Sequence, residues 1–153
     1  MNILAKAIEF AAHKHVDQVD KGGAPYILHP LRMMMRLRTS DQELMAIAVL
    51  HDVVEDCDVS FDELKDLGMP ERVLTGVRAL TRQAGETYEQ FIDRLQFSRD
   101  AMLVKREDLR DNSDLTRLKG VTTKDIARME KYMRAFKHIE ALLNPTNQRD
   151  QQQ

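Results

Sequence analysis

Apolar residues recur at helical spacing along almost the whole chain, and this pattern constrains the fold most. Residues 2–17 place one apolar stripe on a helix, made by Ile3, Leu4, Ala7, Ile8, Ala11 and Ala12. The run from Leu44 to Leu50 is apolar nearly all round, which is typical of a buried central helix. No stretch alternates strongly enough to predict a β-sheet. We therefore predict an all-α fold, a compact bundle of about seven or eight helices.

Capping and turn residues predict where these helices begin and end. The predicted helices cover residues 2–17, 26–37, 43–55, 61–68, 70–80, 87–97, 101–118 and 124–143. The segment 20–25 is rich in Gly and Pro and predicts a turn. Because no repeated unit or interdomain linker is present, we predict a single domain over residues 1–143. Residues 144–153 are expected to form a polar, disordered tail.

Composition excludes several classes of protein. A formal net charge of -2 gives no electrostatic case for nucleic-acid binding, which usually needs a basic excess. The single cysteine, Cys57, excludes an intrachain disulfide and fits a reducing compartment. The N-terminus does not resemble a signal peptide, and no run approaches the ~20 apolar residues that cross a bilayer. We expect a cytoplasmic protein without nucleic-acid or membrane partners; the oligomeric state is not predicted.

Ionisable residues follow the apolar run 44–50 directly. His51 and Asp52 come first, and Glu55 and Asp56 follow one helical turn later. On the continuous helix predicted above, residues at i and i+4 lie on the same side. Burying so many ionisable groups is costly without a partner, and a metal ion is such a partner because it binds deprotonated ligands. The alternative is a solvated helix end that binds nothing.

Two residues elsewhere in the chain could complete a metal site. His29 precedes Pro30 at the start of a predicted helix, and Asp108 follows the apolar run 102–104. Two His and two Asp residues make an N2O2 donor set that leaves positions open for water and suits Mn, Fe or Zn. The alternatives are a capping or surface role for His29 and an ion pair on a charged helix face for Asp108.

These residues lie in three strings that resemble a known family. The strings are Gly23-Ala-Pro-Tyr-Ile-Leu-His29-Pro30, Leu50-His51-Asp52-Val-Val-Glu55-Asp56, and Val104-Lys105 followed by Asp108-Leu109 and Asn112. The residues in these strings, and the order of the strings along the chain, resemble the HD-type hydrolase domain of RelA/SpoT alarmone enzymes. The stand-alone small alarmone hydrolases, the metazoan SpoT homologue among them, are the most similar. The resemblance covers roughly residues 5–140 and is far more specific than a His-Asp pair alone.

The resemblance implies a chemistry and the residues that perform it. The positions that match the family's metal ligands are His29, His51, Asp52 and Asp108, and the metal is typically Mn²⁺. Glu55 and Asp56 match the acidic pair that positions or deprotonates the attacking water. The family's reaction removes pyrophosphate from the ribose 3′ position of (p)ppGpp and yields GDP or GTP. A divalent metal suits this reaction because it acidifies water and shields phosphate charge.

The resemblance also implies contacts with the nucleotide substrate. The matching positions are Lys21, Asn112, Arg128 and Tyr132. For Arg128 and Tyr132, the alternative is an exposed cation and an aromatic side chain at the edge of the core.

Two departures from the family leave the substrate open. Asp20 and Asp114 stand where relatives commonly have basic residues, and an acid there repels polyphosphate. One alternative is therefore an HD phosphohydrolase that acts on another phosphorylated nucleotide. A second alternative is a metal-bound nucleotide sensor or regulatory module without turnover, although such a module would not need the acidic pair Glu55 and Asp56.

Overall fold

The computed structural model describes residues 2–145, and helices dominate this part of the chain. The helices are α1 (Ile3–Lys14), α2 (Leu28–Arg36), α3 (Gln42–Leu50), α4 (Val53–Asp56), α5 (Phe61–Asp66), α6 (Glu71–Leu80), α7 (Tyr88–Arg94), α8 (Arg99–Asn112) and α9 (Thr123–Leu143). Short 3-10 turns cover Leu95–Phe97 and Leu115–Arg117. Within residues 2–145 the only β-type pairing is one isolated bridge, between Val19 and Pro25. Eight helices have six or more residues and α4 is a single turn, which confirms the all-α prediction.

Helix α3 lies at the centre of the hydrophobic core. It packs against α1, α2, α6 and α8, and its residues Ala46, Ile47, Ala48, Val49 and Leu50 are completely buried. This burial explains why the run is apolar nearly all round, since each side of the helix meets another helix. His51 therefore directly follows the buried end of this central helix.

Several predicted helix starts are confirmed by their caps. The side chain of Asp41 accepts hydrogen bonds from the backbone N–H groups of residues 43 and 44. Ser60, Thr87 and Thr122 each form a reciprocal capping box with the residue three positions later. These side chains satisfy N–H groups that have no partner inside the helix.

The predicted continuous helix over 43–55 is wrong. Helix α3 ends at Leu50, the chain turns at His51 and Asp52, and α4 begins at Val53. The Nδ1 atom of His51 lies 2.8 Å from the carbonyl oxygen of Ala48, which can only accept. The His51 side chain thus donates to a carbonyl in the last turn of α3, where carbonyl groups lack partners inside the helix.

The predicted helix over 101–118 is too long. Helix α8 ends at Asn112, and Asp114 caps the following 3-10 turn by accepting from the backbone N–H of Thr116 at 3.0 Å. An Asp at this position favours a turn over a further helical turn because its side chain bonds the nearby backbone. Residues 115–117 consequently fold back toward the segment 20–24.

The remaining predictions concern membrane crossing, the C-terminal tail and the domain bounds. Between residues 2 and 145, no helix combines the length and the apolar character that crossing a membrane requires. The tail predicted over 144–153 lies mostly outside the described residues, which end at Pro145. The single domain over 1–143 stays a prediction.

Candidate metal centre and adjoining cavity

Three buried side chains bring potential metal-ligand atoms together. His29 lies on α2, His51 directly follows α3, and Asp108 lies on α8, and one ligand atom of each is within 4.8 Å of the others. The carboxylate of Asp52 adjoins them, with Oδ2 at 2.8 Å from Nε2 of His51 and 3.8 Å from Nε2 of His29. The four residues predicted as ligands therefore converge from three separate segments.

The polar atoms of His51 fit a bound cation. Its Nδ1 atom donates to the carbonyl of Ala48 and so carries a proton, while Nε2 faces the carboxylate of Asp52. Nε2 is buried and has no hydrogen-bond partner, although Asp52 lies close by. A buried polar atom without a partner is costly, and a divalent cation would satisfy this one. Two imidazoles and two carboxylates suit Mn²⁺, Fe²⁺ or Zn²⁺.

Neighbouring charges hold His29 and Asp108 in their charged forms. Burial lowers the pKa of His29, but hydrogen bonds to Asp108 and Asp111 outweigh this effect and raise the pKa to about 9. Burial likewise opposes ionisation of Asp108, but the Lys105 ammonium and the two histidines hold its pKa well below the usual range. The Asp108 carboxylate also accepts a hydrogen bond from Nδ2 of Asn112 at 2.7 Å.

A fifth residue, Asp111, belongs to the centre and was not predicted. Its carboxylate is completely buried and accepts from Nδ1 of His29 at 2.7 Å. The guanidinium groups of Arg32, Arg36 and Arg117 surround the same carboxylate. The sequence did carry one signal, because Asp111 follows Asp108 by three residues and so shares its face of α8.

The acidic pair Glu55 and Asp56 lies beside the centre. Both residues are exposed on α4, and within residues 2–145 neither side chain makes a hydrogen bond to the four predicted ligands, although the backbone N–H of Asp56 donates to the carbonyl of Asp52 at 2.9 Å. The Glu55 carboxylate accepts from the backbone N–H of Arg82. Asp56 accepts from Nε2 of Gln18 at 3.2 Å. The acidic pair therefore still lies one turn beyond His51 and Asp52, but its carboxylates bond to Arg82 and Gln18 and not to the cluster.

A cavity of about 340 Å³ adjoins the metal-ligand cluster. Its lining residues are Gln18, Val19, Asp20, Lys21, Gly22, Tyr26, Asn112, Asp114, Arg117, Leu118 and Tyr132. Two of these residues connect it directly to the cluster: the hydroxyl of Tyr26 donates to Asp52, and Asn112 donates to Asp108. A molecule in this cavity would therefore lie next to the candidate metal ligands.

Three of the four predicted substrate contacts line this cavity, namely Lys21, Asn112 and Tyr132. Arg128 is not among the lining residues and instead pairs with Asp125. Its charge still affects Lys21, because burial and then the positive charge of Arg128 lower the pKa of Lys21. Lys21 is thus the predicted contact that brings a cation to the cavity wall.

Arg117 offsets the two acids that depart from the family pattern. Asp20 accepts from the backbone N–H groups of Gly22 and Ala24, and its other oxygen lies 3.1 Å from Nη1 of Arg117. The Asp114 carboxylate lies 3.9 Å from Nε of the same arginine. The repulsion expected from Asp20 is therefore largely neutralised within the cavity wall. This role of Arg117 was not predicted, because residues 101–118 were expected to form one continuous helix, whereas Arg117 lies in the 3-10 turn after α8.

Comparisons with known proteins agree with this geometry. The chain is 34% identical over 119 residues to the guanosine-3′,5′-bis(diphosphate) 3′-pyrophosphohydrolase of Aquifex aeolicus, a match that covers 71% of the chain and 17% of the relative. It is 39% identical over 71 residues to the enzyme of the same name, MESH1, of Danio rerio, covering 42% and 39%. The chain thus spans well under half the length of these curated relatives. No protein-family model matches the chain.

A solved structure extends the match to nearly the whole fold. The structure of a metazoan orthologue of SpoT that hydrolyses ppGpp superposes with a TM-score of 0.76 at 27% identity, covering 89% of this chain and 84% of that one. The fold is that of an HD-type hydrolase domain. Within that class, the chain is a relative of the RelA/SpoT-type alarmone hydrolases, and the resemblance predicted from the three strings is confirmed.

Proposed function

We propose that this chain is a divalent-metal-dependent phosphohydrolase that removes pyrophosphate from the 3′ position of (p)ppGpp. The observation that carries the proposal is the convergence of His29, His51 and Asp108 within 4.8 Å, beside a cavity that Lys21, Asn112 and Tyr132 line. The relatives named for this reaction, and the solved metazoan orthologue, support the choice of substrate.

We propose His29, His51, Asp52 and Asp108 as the metal ligands, and Mn²⁺ as the metal. The same donor set also fits Fe²⁺ or Zn²⁺. A bound divalent cation would supply Lewis acidity toward water and would shield the phosphate oxygens.

The chain's own residues account for the remaining requirements of the reaction. Glu55 or Asp56 would take the proton of the attacking water, since both are exposed carboxylates one turn beyond the ligand pair. The water oxygen forms the new bond to phosphorus, the bond to the ribose 3′ oxygen breaks, and that oxygen leaves with a proton. ppGpp and water then give GDP and pyrophosphate.

Substrate binding would use the side of the cavity that Lys21 lines. Lys21 and Arg128 are proposed to hold phosphate groups, because both contribute positive charge there and attract an anionic ligand. Asn112 is proposed to contact the ribose while it donates to Asp108. Tyr132 offers an aromatic ring to the cavity wall for the nucleotide.

A second candidate, an HD phosphohydrolase for another phosphorylated nucleotide, is favoured by the ion pair of Asp20 and Arg117. This pair occupies the cavity wall where relatives commonly carry a free cation. A non-catalytic nucleotide sensor is the third candidate. All three use a small nucleotide ligand and no nucleic acid. A cytoplasmic location is proposed because the lone Cys57 fits a reducing compartment.

Product analysis with Mn²⁺ and ppGpp, beside a panel of other nucleotides, tests these candidates. We expect GDP and pyrophosphate from the wild-type chain, loss of both with Asp108→Ala, and loss of turnover with retained Mn²⁺ binding in Glu55→Gln. Cleavage of another nucleotide with silence on ppGpp would overturn the substrate. Mn²⁺ and nucleotide binding without any product would overturn hydrolysis and favour the sensor.

A further inference from the structure

The carboxylate of Asp111 stands out among the buried polar groups because four side chains converge on it. Its Oδ2 atom accepts from Nδ1 of His29 at 2.7 Å and from Nη2 of Arg32 at 2.9 Å. Its Oδ1 atom accepts from Nε of Arg32 at 2.8 Å and from Nη1 of Arg36 at 2.9 Å. Nη2 of Arg117 lies 3.3 Å from Oδ2 and also donates to the Asp111 backbone carbonyl.

Helix geometry explains how one carboxylate meets so many donors. His29, Arg32 and Arg36 lie at positions i, i+3 and i+7 of α2, so they form a single stripe on that helix. Asp111 lies on α8, which packs against α2, and its side chain faces this stripe. The contact is therefore made between two rigid elements and not by a flexible loop.

The orientation of the His29 ring follows from this contact. Because the Asp111 carboxylate can only accept, Nδ1 of His29 carries a proton and Nε2 is the atom turned toward Asp108 and Asp52. A carboxylate that fixes the tautomer and the rotation of a histidine in this way commonly strengthens metal binding.

We propose that Asp111 is a positioning residue that directs Nε2 of His29 toward the metal, while Arg32, Arg36 and Arg117 hold the Asp111 carboxylate in place. This inference rests on the proposed function, since it takes His29 as a metal ligand. It adds a residue that the three sequence strings did not assign to the site.

Titration of Mn²⁺ into the metal-free chain tests the proposal without any measurement of activity. We expect Asp111→Asn to weaken Mn²⁺ binding about 10–100-fold, the usual effect of losing such a supporting carboxylate. Asp100→Asn is the matched control, because Asp100 lies on the same helix α8 and accepts from an arginine, Arg72, but does not contact His29. It should bind Mn²⁺ nearly as well as the wild type even where its melting temperature falls. Equal losses in the two variants would show a structural role only and would overturn the proposal.

Two additional measurements separate the possible failures. If the wild type does not bind Mn²⁺, or if His29→Ala binds as tightly as the wild type, the proposed metal site itself fails. If Asp111→Asn does not fold, ¹⁵N-edited NMR of the wild type loaded with diamagnetic Zn²⁺ takes its place. We expect His29 to keep its proton on Nδ1 and to bind the metal through Nε2. Metal bound through Nδ1 would overturn the positioning role.

Discussion

The ammonium group of Lys105 lies 2.6 Å from Oδ2 of Asp108, while Oδ1 of the same carboxylate lies 3.1 Å from Nε2 of His29. The Lys105 side chain is only 14% exposed, and its ammonium also lies 5.3 Å from the centre of the Phe91 ring. Lys105 thus neutralises a carboxylate that is proposed to bind a divalent cation. We therefore expect Lys105 and a cation at the proposed site to compete for the charge of Asp108.

Replacing Lys105 with methionine should test this competition. We expect Lys105→Met to lower the free energy of unfolding of the metal-free chain by about 1–3 kcal/mol, because a buried carboxylate loses one of its donors. The rise in melting temperature on adding Mn²⁺ should be larger than in the wild type. Thermal unfolding with and without Mn²⁺ measures both, and Lys65→Met, on the exposed side of α5, is the control. An unchanged Mn²⁺-induced rise would contradict the competition.

Metal affinity should rise with pH up to about pH 9. The pKa of His29 is raised to about 9, so near neutral pH its Nε2 proton must leave before a cation can bind. Calorimetry in buffers of different ionisation enthalpy should detect release of about one proton per Mn²⁺ bound at neutral pH. Affinity that does not change between pH 6.5 and pH 8.5 would show that His29 is neutral or does not bind the metal.

The same pKa predicts how the metal-free chain responds to pH. A raised pKa means that the folded chain binds the His29 proton more tightly than the unfolded chain does. This contribution to stability is complete below the unfolded pKa of about 6.5 and is lost as the pH rises toward 9. Denaturation of the metal-free chain across this range should show the loss, and His29→Gln should show less of it.

Gly22 should be intolerant of a side chain because of the cavity wall. A Cβ atom at Gly22 would lie 2.4 Å from the backbone oxygen of Arg117, whereas a Cβ at Gly120 meets nothing within 4 Å. We expect Gly22→Ala to cost about 1–3 kcal/mol of unfolding free energy. It should also raise KM for the nucleotide, because the 20–24 turn must move away from Arg117. Gly120→Ala is the matched control and should leave both quantities near the wild-type values. If Gly22→Ala keeps the wild-type KM, the cavity beside this turn is not the nucleotide site.

Gly76 should also be intolerant of a side chain, in this case because of close packing in the core. A Cβ there would lie 2.5 Å from Cδ1 of the buried Ile47, so Gly76→Ala should destabilise the fold although alanine favours helix. In the background of Ile47→Ala, the same change should be neutral or stabilising because the space is free. A double-mutant cycle by denaturant unfolding measures this coupling. Additive effects would contradict close packing of α3 against α6.

The sequence predicted the helices better than it predicted their connections. Caps such as Ser60 and Thr122 mark helix starts locally, and the apolar run over 44–50 is best buried in the centre of a bundle. The break after Leu50 escaped prediction because the hydrophobic period gives no signal for it, and the contact of His51 with the Ala48 carbonyl is seen only in the structure. Short-range sequence patterns were therefore sufficient to predict the helices, but not to predict that α3 ends at Leu50.

The supporting residues escaped prediction for a related reason. Asp111 and Arg117 resemble ordinary surface charges in the sequence, and their roles depend on α2 packing beside α8. The spacing of Asp108 and Asp111 predicts a common face but cannot show that Arg32 and Arg36 arrive from another helix. Contacts between distant segments decide which charged residues are buried.

The interruption of the helix after Leu50 divides the segment into two parts with different freedom of movement. Ala48 and Leu50 are completely buried in α3, whereas Glu55 and Asp56 are exposed on a single turn. Short exposed segments open locally at little free-energy cost, so amide hydrogens of residues 55–57 should exchange much faster than those of 46–50. The segment before the proposed ligand His51 is thereby expected to stay rigid, while the carboxylates proposed to meet the water can adjust to each ligand that enters.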